Sequence, residues 1–312
     1  MTLHVLAPGL LTTVQDLGRP GLGALGVGPG GAADRGALRR ANALVGNDDG
    51  AAALEITLRG PTLCAGAPLR AALTGAPFEA TLDGAVVPRD AAFAVPAGTT
   101  LAIGGGPAGC RAYLAIAGGV DVPMVLGARA THLRGGFGGH AGRMLRAGDV
   151  LAIGPAPPPA RVPASLPPAG PTGPVRCVTG EAWDMLPAAA RATFTGTQWR
   201  VSPRSDRMGV RLEGPSLLDA PLAERRSEGV LAGTVQLPPD GRPIVLLADH
   251  PTTGGYPVLA HVIGADLGAL AQWRPGDAVG FTLVPLDEAV RLTVDAERAL
   301  AAHLHRIRHG DA

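Results

Sequence analysis

The strongest constraint on this chain is its punctuation: 46 glycines and 30 prolines break 312 residues into short apolar runs. Proline lacks an N–H and fixes φ, so it is excluded from helix interiors and central strands. Short apolar runs bounded by Gly, Pro and Asp read as strands joined by tight turns. The expected fold class is therefore mainly β with a few short helices. Aromatic residues are only 3% of the chain against 46% hydrophobic, so the core must be built from Ala, Val, Leu and Ile.

The length exceeds the usual single domain. The sharpest break is 154–174, which carries Pro155, Pro157, Pro158, Pro159, Pro163, Pro167, Pro168, Pro171 and Pro174. Such a segment is expected to run as an extended linker, giving domains at 1–154 and 175–312 with the linker at 155–174. In the first half, Asp34 caps an expected helix with Leu38, Ala41, Leu44 and Val45 on one face and Gly46 at its end. Strands are expected at 52–58, 69–74, 78–87, 91–95, 99–103, 111–117 and 150–153. In the second half they are expected at 175–179, 192–201, 208–213, 230–237, 243–248 and 278–284, with helices at 266–272 and 287–307. The halves echo each other. Ala33-Asp34-Arg35 resembles Ser205-Asp206-Arg207, and each precedes a glutamate, Glu55 or Glu228, by a similar distance. Two similar β-barrel-like units follow from these echoes.

The charges are interspersed and sum to +1, which argues against a nucleic-acid groove. All 27 basic residues are arginine. This excludes Schiff-base, P-loop and general-base lysines. Cys64, Cys110 and Cys177 are far apart and odd in number, which favours packed thiols over a disulfide framework or zinc knuckle. The N-terminal residues show no basic region followed by an apolar stretch, so a cytoplasmic location is expected.

Two loops concentrate chemistry. Asp249 to Pro257 (Asp-His-Pro-Thr-Thr-Gly-Gly-Tyr-Pro) follows an apolar strand and combines an acid, an imidazole, two hydroxyls, a Gly pair and a tyrosine. It reads as the wall of a binding groove, the alternative being an ordinary turn whose threonines cap backbone groups. Thr131 to His140 contains four glycines, and Arg134 with nearby Arg143 can meet a carboxylate or phosphate bidentately; the alternative is a surface loop. The loop 21–31 before Asp34 suits either an anion site or simple helix capping. Arg35 and Arg207 either serve a site or pair with Glu55 and Glu228. Residues 104–109 fit G-x-G-x-x-G but precede a strand, so the dinucleotide reading fails. His305 and His309 lack a third ligand, and no metal site is expected.

Longer motifs carry a family resemblance. The segments 9–21, Asp34-Arg35, 41–47, 113–121, 126–127, 133–139, 205–209, 212–214, 252–257, 270–272 and 274–276 together resemble the family of bacterial 5-oxoprolinase C subunits. It is also called KipA, the biotin-dependent carboxyltransferase A/B-subdomain family or, formerly, allophanate hydrolase subunit 2. The chain departs from the pattern at Gly30 to Ala33, which lacks a serine, at His132, where tyrosine is common, and at His250-Pro251, where Arg-Gln is common.

The resemblance implies two cyclophilin-like β-barrel domains, similar to carboxyltransferase subdomains A and B. It implies an ATP-dependent assembly, with Mg expected beside the nucleotide, that opens 5-oxo-L-proline to L-glutamate. The partners implied are the A and B subunits, the latter KipI-like. The alternatives are a biotin-dependent carboxyltransferase component with a separate carrier, and a KipA-like regulator of a KipI-type kinase inhibitor. The groups expected to act on substrate are Asp249, Tyr256 and Arg134. Contacts to substrate or nucleotide are expected from Thr252, Thr253, Gly254, Gly255, Gly136, Gly138, Gly139, Arg143, Asp34, Arg35, Asp206, Arg207 and Glu228.

Overall fold

A computed structural model describes residues 1–160, 173–219 and 226–310. Most of the expected linker, 161–172, lies outside the described residues. The chain forms two compact units. Unit 1 comprises Met1–Arg19, Gly30–Ala169 and Leu300–Ala312; unit 2 comprises Pro20–Pro29 and Gly170–Ala299. A linear cut at the proline-rich segment does not describe this division, because residues 20–29 belong with the second unit and the C-terminus with the first.

Unit 1 contains β1 (Thr2–Ala7), β2 (Leu11–Gln15), α1 (Arg35–Leu44), β3 (Ala53–Thr57), β4 (Thr62–Ala65) and β5 (Leu69–Gly75). They are followed by β6 (Ala80–Leu82), β7 (Ala85–Val86), β8 (Ala92–Val95), β9 (Thr100–Ile103), β10 (Arg111–Ile116) and β11 (Val150–Ala152). One sheet has the order β11-β1-β4-β9-β6-β7 and the other β2-β3-β10-β5-β8. Their inward residues, among them Leu3, Leu63, Leu101, Leu54, Leu73 and Leu114, form one aliphatic core. Every residue of β10 is buried. Strand alternation explains this: Ala112, Leu114 and Ile116 face that core, while Tyr113 and Ala115 belong to a second cluster with Leu38, Ala41 and Leu44 of α1.

The α1 helix forms for the reasons read in the sequence. The Asp34 carboxylate accepts the Ala37 N–H at 2.9 Å, satisfying one orphan donor of the first turn. Gly46 follows at φ 80°, the left-handed position that ends many helices.

Unit 2 contains β12 (Val175–Thr179), α2 (Ala188–Gly196), β13 (Trp199–Val201), β14 (Gly209–Glu213), β15 (Glu228–Gly229) and β16 (Thr234–Gln236). Then come β17 (Ile244–Leu246), β18 (Thr253–Gly254), β19 (Val258–Val262), α3 (Leu267–Leu270), β20 (Ala278–Val279) and β21 (Phe281–Leu283), and the last helix, α4 (Leu286–His309), begins in unit 2 and belongs to unit 1 from Leu300 onward. The main sheet has the order β20-β13-β14-β17-β16-β19-β12-β21. Its two edge strands, β20 and β21, are consecutive in the chain with only Gly280 between them. That one-residue link brings the sheet's ends together and nearly closes the barrel. The expected mainly β, two-barrel architecture is what the structure has.

The strand expected at 192–201 is a correction. Residues Ala188–Gly196 are helical, and only Trp199–Val201 are extended. Local alanine content favours helix, and Phe194 anchors it. Its ring stacks on Phe281 at 4.7 Å and meets Trp183 edge-on at 5.8 Å, and its carbonyl accepts from Trp199 Nε1 at 3.1 Å. The few aromatics of this chain are concentrated in that cluster, so the expectation of a purely aliphatic core holds poorly for unit 2.

The α4 helix carries Asp287 and Glu288 in its first turn and Arg306, Arg308 and His309 in its last, the charge order that favours the helix dipole. Its Leu304 and Ile307 are buried with the α1 cluster. No helix among the described residues is long and apolar enough to cross a membrane.

Candidate functional site

The Asp249–Pro257 loop divides into an anchor and a wall. At the anchor, Arg207 Nε and Nη2 donate to the two Asp249 carboxylate oxygens at 2.8 and 2.9 Å. Both side chains are buried, 4% and 7% exposed. The Asp249 N–H also donates to the Arg207 carbonyl at 2.9 Å. His250 is buried beside it. Asp249, expected to act on substrate, is thus committed to an internal ion pair. Neighbouring Asp206 closes a turn by accepting the Met208 and Gly209 N–H groups at 2.7 and 3.2 Å.

The wall begins at Thr253. Strand β18 pairs with β15 so that Glu228 lies opposite Gly254 and Gly229 opposite Thr253. The pairing brings Glu228 onto one ribbon with Thr253 and Gly254, 25 and 26 positions further along the sequence, with exposed Tyr256 beyond it. A cleft of about 210 Å³ opens there, lined by Glu181, Arg226, Glu228, Thr234, Gly254, Tyr256 and His261, with Gly229, Val230 and Val258. Four of these polar groups, Glu181, Arg226, Thr234 and His261, were not foreseen. His261 sits in an apolar strand, and only the β16–β19 register, Thr234 opposite His261, reveals its surroundings.

Thr234 Oγ1 accepts the Leu231 N–H at 3.3 Å and lies 3.3 Å from His261 Nδ1. Where the hydroxyl proton is donated to Nδ1, the neutral ring carries its own proton on Nε2. Burial lowers the His261 pKa, and the Glu181 carboxylate partly opposes this. The ring is accordingly neutral near pH 7. Glu181 is placed by a bond from the Val258 N–H to its Oε1 at 3.2 Å. The cleft thus combines a neutral imidazole, a phenol, two carboxylates and a guanidinium, a set suited to a small polar ligand. Gly255 and Thr252 flank it on the loop, and Thr252 is tied back by the Val230 N–H at 3.2 Å.

The remaining expected residues lie in unit 1. Arg143 is not available for an anion: its two terminal nitrogens donate to both Asp149 oxygens at 2.8 Å. That contact pushes the Asp149 pKa well below the usual carboxylate range. Gly138 and Gly139 serve their own loop: a Cβ at Gly139 would collide with Thr131 Oγ1, and one at Gly138 with the Ala130 carbonyl. Gly136 and Arg134 are exposed. Asp34 caps α1, and Arg35 is exposed on the first turn. The pairing of Arg35 with Glu55 does not occur. Register places Tyr113 opposite Glu55, so its hydroxyl donates to Glu55 Oε2 at 2.8 Å while Arg111 Nε lies 3.7 Å from Oε1. Nor does Arg207 pair with Glu228, since Asp249 holds it.

Among the described residues, no three His, Cys, Asp or Glu side chains cluster to hold a metal. Cys177 is buried, its thiol pushed up to about 12 chiefly by desolvation, so it is unreactive.

Comparison with known proteins agrees with this architecture. The chain is 40% identical over 306 residues to the 5-oxoprolinase C subunit of Escherichia coli (strain K12), covering 97% of this chain and 99% of the relative. It is 38% identical over 291 residues to the protein of the same name from Haemophilus influenzae, covering 90% of each. Urea amidolyase of Saccharomyces cerevisiae is 35% identical over 308 residues, which is 91% of this chain and 16% of that protein. Among solved structures, the Kluyveromyces lactis urea amidolyase superposes with a TM-score of 0.88 at 32% identity, over 96% of this chain and 20% of that one. TTHA0988 superposes with a TM-score of 0.81 at 40% identity, over 90% of this chain and 55% of that one. This chain therefore spans only part of those two solved chains. Residues 25–283 match the family model for the carboxyltransferase domain, subdomain A and B, and with the relatives above this establishes that the chain belongs to that carboxyltransferase A/B family.

Proposed function

We propose that this chain is the C subunit of an ATP-dependent 5-oxoprolinase assembly that converts 5-oxo-L-proline to L-glutamate together with the A and B subunits. The observation that carries this reading is the end-to-end alignment with the Escherichia coli relative, 97% of one chain on 99% of the other. The urea amidolyase relatives hold the same region as a small fraction of longer chains. On this reading the protein acts in the cytoplasm and only within a hetero-oligomer.

The cleft in unit 2 supports the substrate class. A five-membered lactam with one carboxylate is compact, planar and polar. Arg226 pairs with the carboxylate, and Glu228 accepts from the lactam N–H. The His261 Nε2–H and the Tyr256 hydroxyl donate to the lactam oxygen, where negative charge grows as the amide carbon is attacked. Donors aimed at such an oxygen are worth more in the transition state than in the ground state. A neutral imidazole serves as this kind of electrophile. Arg207 and Asp249 hold the loop in place from behind.

Nucleotide fits this chain poorly. Arg143, the residue expected to meet phosphate, is occupied by Asp149, and the chain has no lysine. ATP is therefore assigned to another member of the assembly. A second reading, biotin-dependent carboxyl transfer, is favoured by the TM-score of 0.88 to urea amidolyase. It requires a separate carrier, because this chain has no lysine to biotinylate. Two parallel assays separate them. The complete three-protein assembly is given 5-oxoproline and ATP and glutamate is measured; the chain is separately given carboxybiotin on a carrier with urea. Glutamate release supports the first reading. Carboxylated urea without glutamate release overturns it.

A further inference from the structure

Unit 2 has a second cleft, of about 310 Å³, whose polar lining is Ser202, Arg204, Arg211, Glu213, Asp240 and Arg242. None of these residues lines the cleft around Tyr256 and His261. On β14, Arg211 and Glu213 flank buried Leu212, so strand alternation turns both to the same outer face. The Leu212 N–H donates to the Pro243 carbonyl at 3.0 Å, which brings Arg242 alongside. Arg242 Nε donates to the Gly214 carbonyl at 3.2 Å, and the Arg242 backbone N–H donates to Asp240 Oδ1 at 3.1 Å. Buried Ser202 serves two neighbours: its hydroxyl donates to Glu213 Oε1 at 2.7 Å and accepts the Arg204 N–H at 3.4 Å. Ser205 Oγ accepts the Arg211 N–H at 3.1 Å. The frame is thus tied down, while the guanidinium groups of Arg204 and Arg211 have no hydrogen bond or ion pair among the described residues.

The charges select the ligand. Three guanidiniums and two carboxylates surround one small space. A bare oxyanion such as phosphate meets the arginines but is opposed by Glu213 and Asp240, and like charges brought together are costly. A small molecule with two carboxylates and one ammonium satisfies both signs. 5-Oxo-L-proline has one carboxylate, and its nitrogen is an uncharged amide. Ring opening creates both missing groups, the second carboxylate and the ammonium. We propose that this cleft is a binding site for an α-amino dicarboxylate, L-glutamate, with Arg204 and Arg211 on its carboxylates through charge-assisted hydrogen bonds and Glu213 on its ammonium. It takes the product and refuses the substrate. The naming of L-glutamate as product rests on the 5-oxoprolinase reading above; the charge pattern does not.

Calorimetry on the full chain tests this with L-glutamate, 5-oxo-L-proline, glutarate, L-glutamine and inorganic phosphate. L-Glutamate is expected to bind about tenfold more tightly than glutarate, which lacks the ammonium, and than L-glutamine, which lacks one carboxylate. Arg204→Gln and Arg211→Gln should each weaken L-glutamate about tenfold. Glu213→Gln should weaken L-glutamate without weakening glutarate, a split that a general basic patch does not produce. The three side chains are exposed, so thermal unfolding of the variants, followed alongside, should stay near that of wild type. Absence of L-glutamate binding in the wild type overturns the proposal, as does phosphate binding as tight as that of L-glutamate. L-Glutamate binding that survives in both arginine variants places it elsewhere and also overturns it. So does a glutamate-to-glutarate ratio unaltered in Glu213→Gln. If L-glutamate binds through Arg204 and Arg211 but the three-protein assembly releases none from 5-oxoproline, the 5-oxoprolinase reading fails and the amino-acid site stands.

Discussion

Removing Asp249 should unfold unit 2 more easily before it does anything to chemistry. The pair with Arg207 is almost dry, with side chains 4% and 7% exposed, and both carboxylate oxygens are used. Truncation in Asp249→Ala removes both carboxylate acceptors from a buried guanidinium. Breaking a buried pair from one side costs about 3–5 kcal/mol, most of it the penalty on the abandoned charge. At roughly 2–4 °C per kcal/mol for a unit of this size, the unit 2 transition should fall by roughly 10 °C. The companion variant Arg207→Met with Asp249→Asn removes both charges and nearly keeps the volume, so it should recover part of that loss. Thermal unfolding, followed by the tryptophan fluorescence of Trp183, Trp199 and Trp273, all in unit 2, reads both. The anchoring role is refuted if Asp249→Ala unfolds within about 1 kcal/mol of wild type, the ordinary range for a substitution without special mechanism, yet abolishes turnover. That outcome would return Asp249 to the reacting groups.

Other consequences are simpler to measure. His261→Ala should lower turnover about 10²–10³-fold, the usual loss for one donor to a developing oxyanion, without changing the fold. By NMR, His261 should titrate below the ordinary histidine value of 6.5, and Glu181→Gln should move it lower still, because the glutamate charge opposes the burial effect. Asp149 has a folded pKa far below its unfolded value, held there first by Arg143. Its stabilising contribution is therefore complete above about pH 4 and lost as pH falls toward the folded value. Arg143→Gln should accordingly destabilise unit 1 at pH 7, and the difference from wild type should shrink steadily below pH 4. Gly139→Ala meets Thr131 Oγ1 at a φ of 54° and should destabilise by more than about 1 kcal/mol, seen as a lower thermal midpoint.

Local signals made much of unit 1 legible. The Asp34 cap, the α1 face and the strand at 111–117 follow from periods of 3.6 and 2, and those periods depend on neighbours in sequence. Residues 188–196 misled because alternating Ala and Thr suits either state, and only Phe194 packing among Trp183 and Phe281 decides for helix. The site was half legible. Tyr256, Gly254 and Glu228 carry recognisable chemistry, and the cleft gathers them. His261 was hidden in an apolar run because its partner Thr234 is 27 residues away. Asp249 and Arg143 looked reactive for the opposite reason: each has its own internal partner, Arg207 and Asp149, and sequence spacing does not reveal a side chain already spoken for.

The role of this chain as a C subunit is tested most directly by omission. The A and B subunits of 5-oxoprolinase are incubated with 5-oxo-L-proline and ATP, with and without this chain, and glutamate is measured. The prediction is ATP-dependent glutamate release with the chain present and none without it. Equal release without the chain, or none from the complete mixture, would contradict its role as the C subunit.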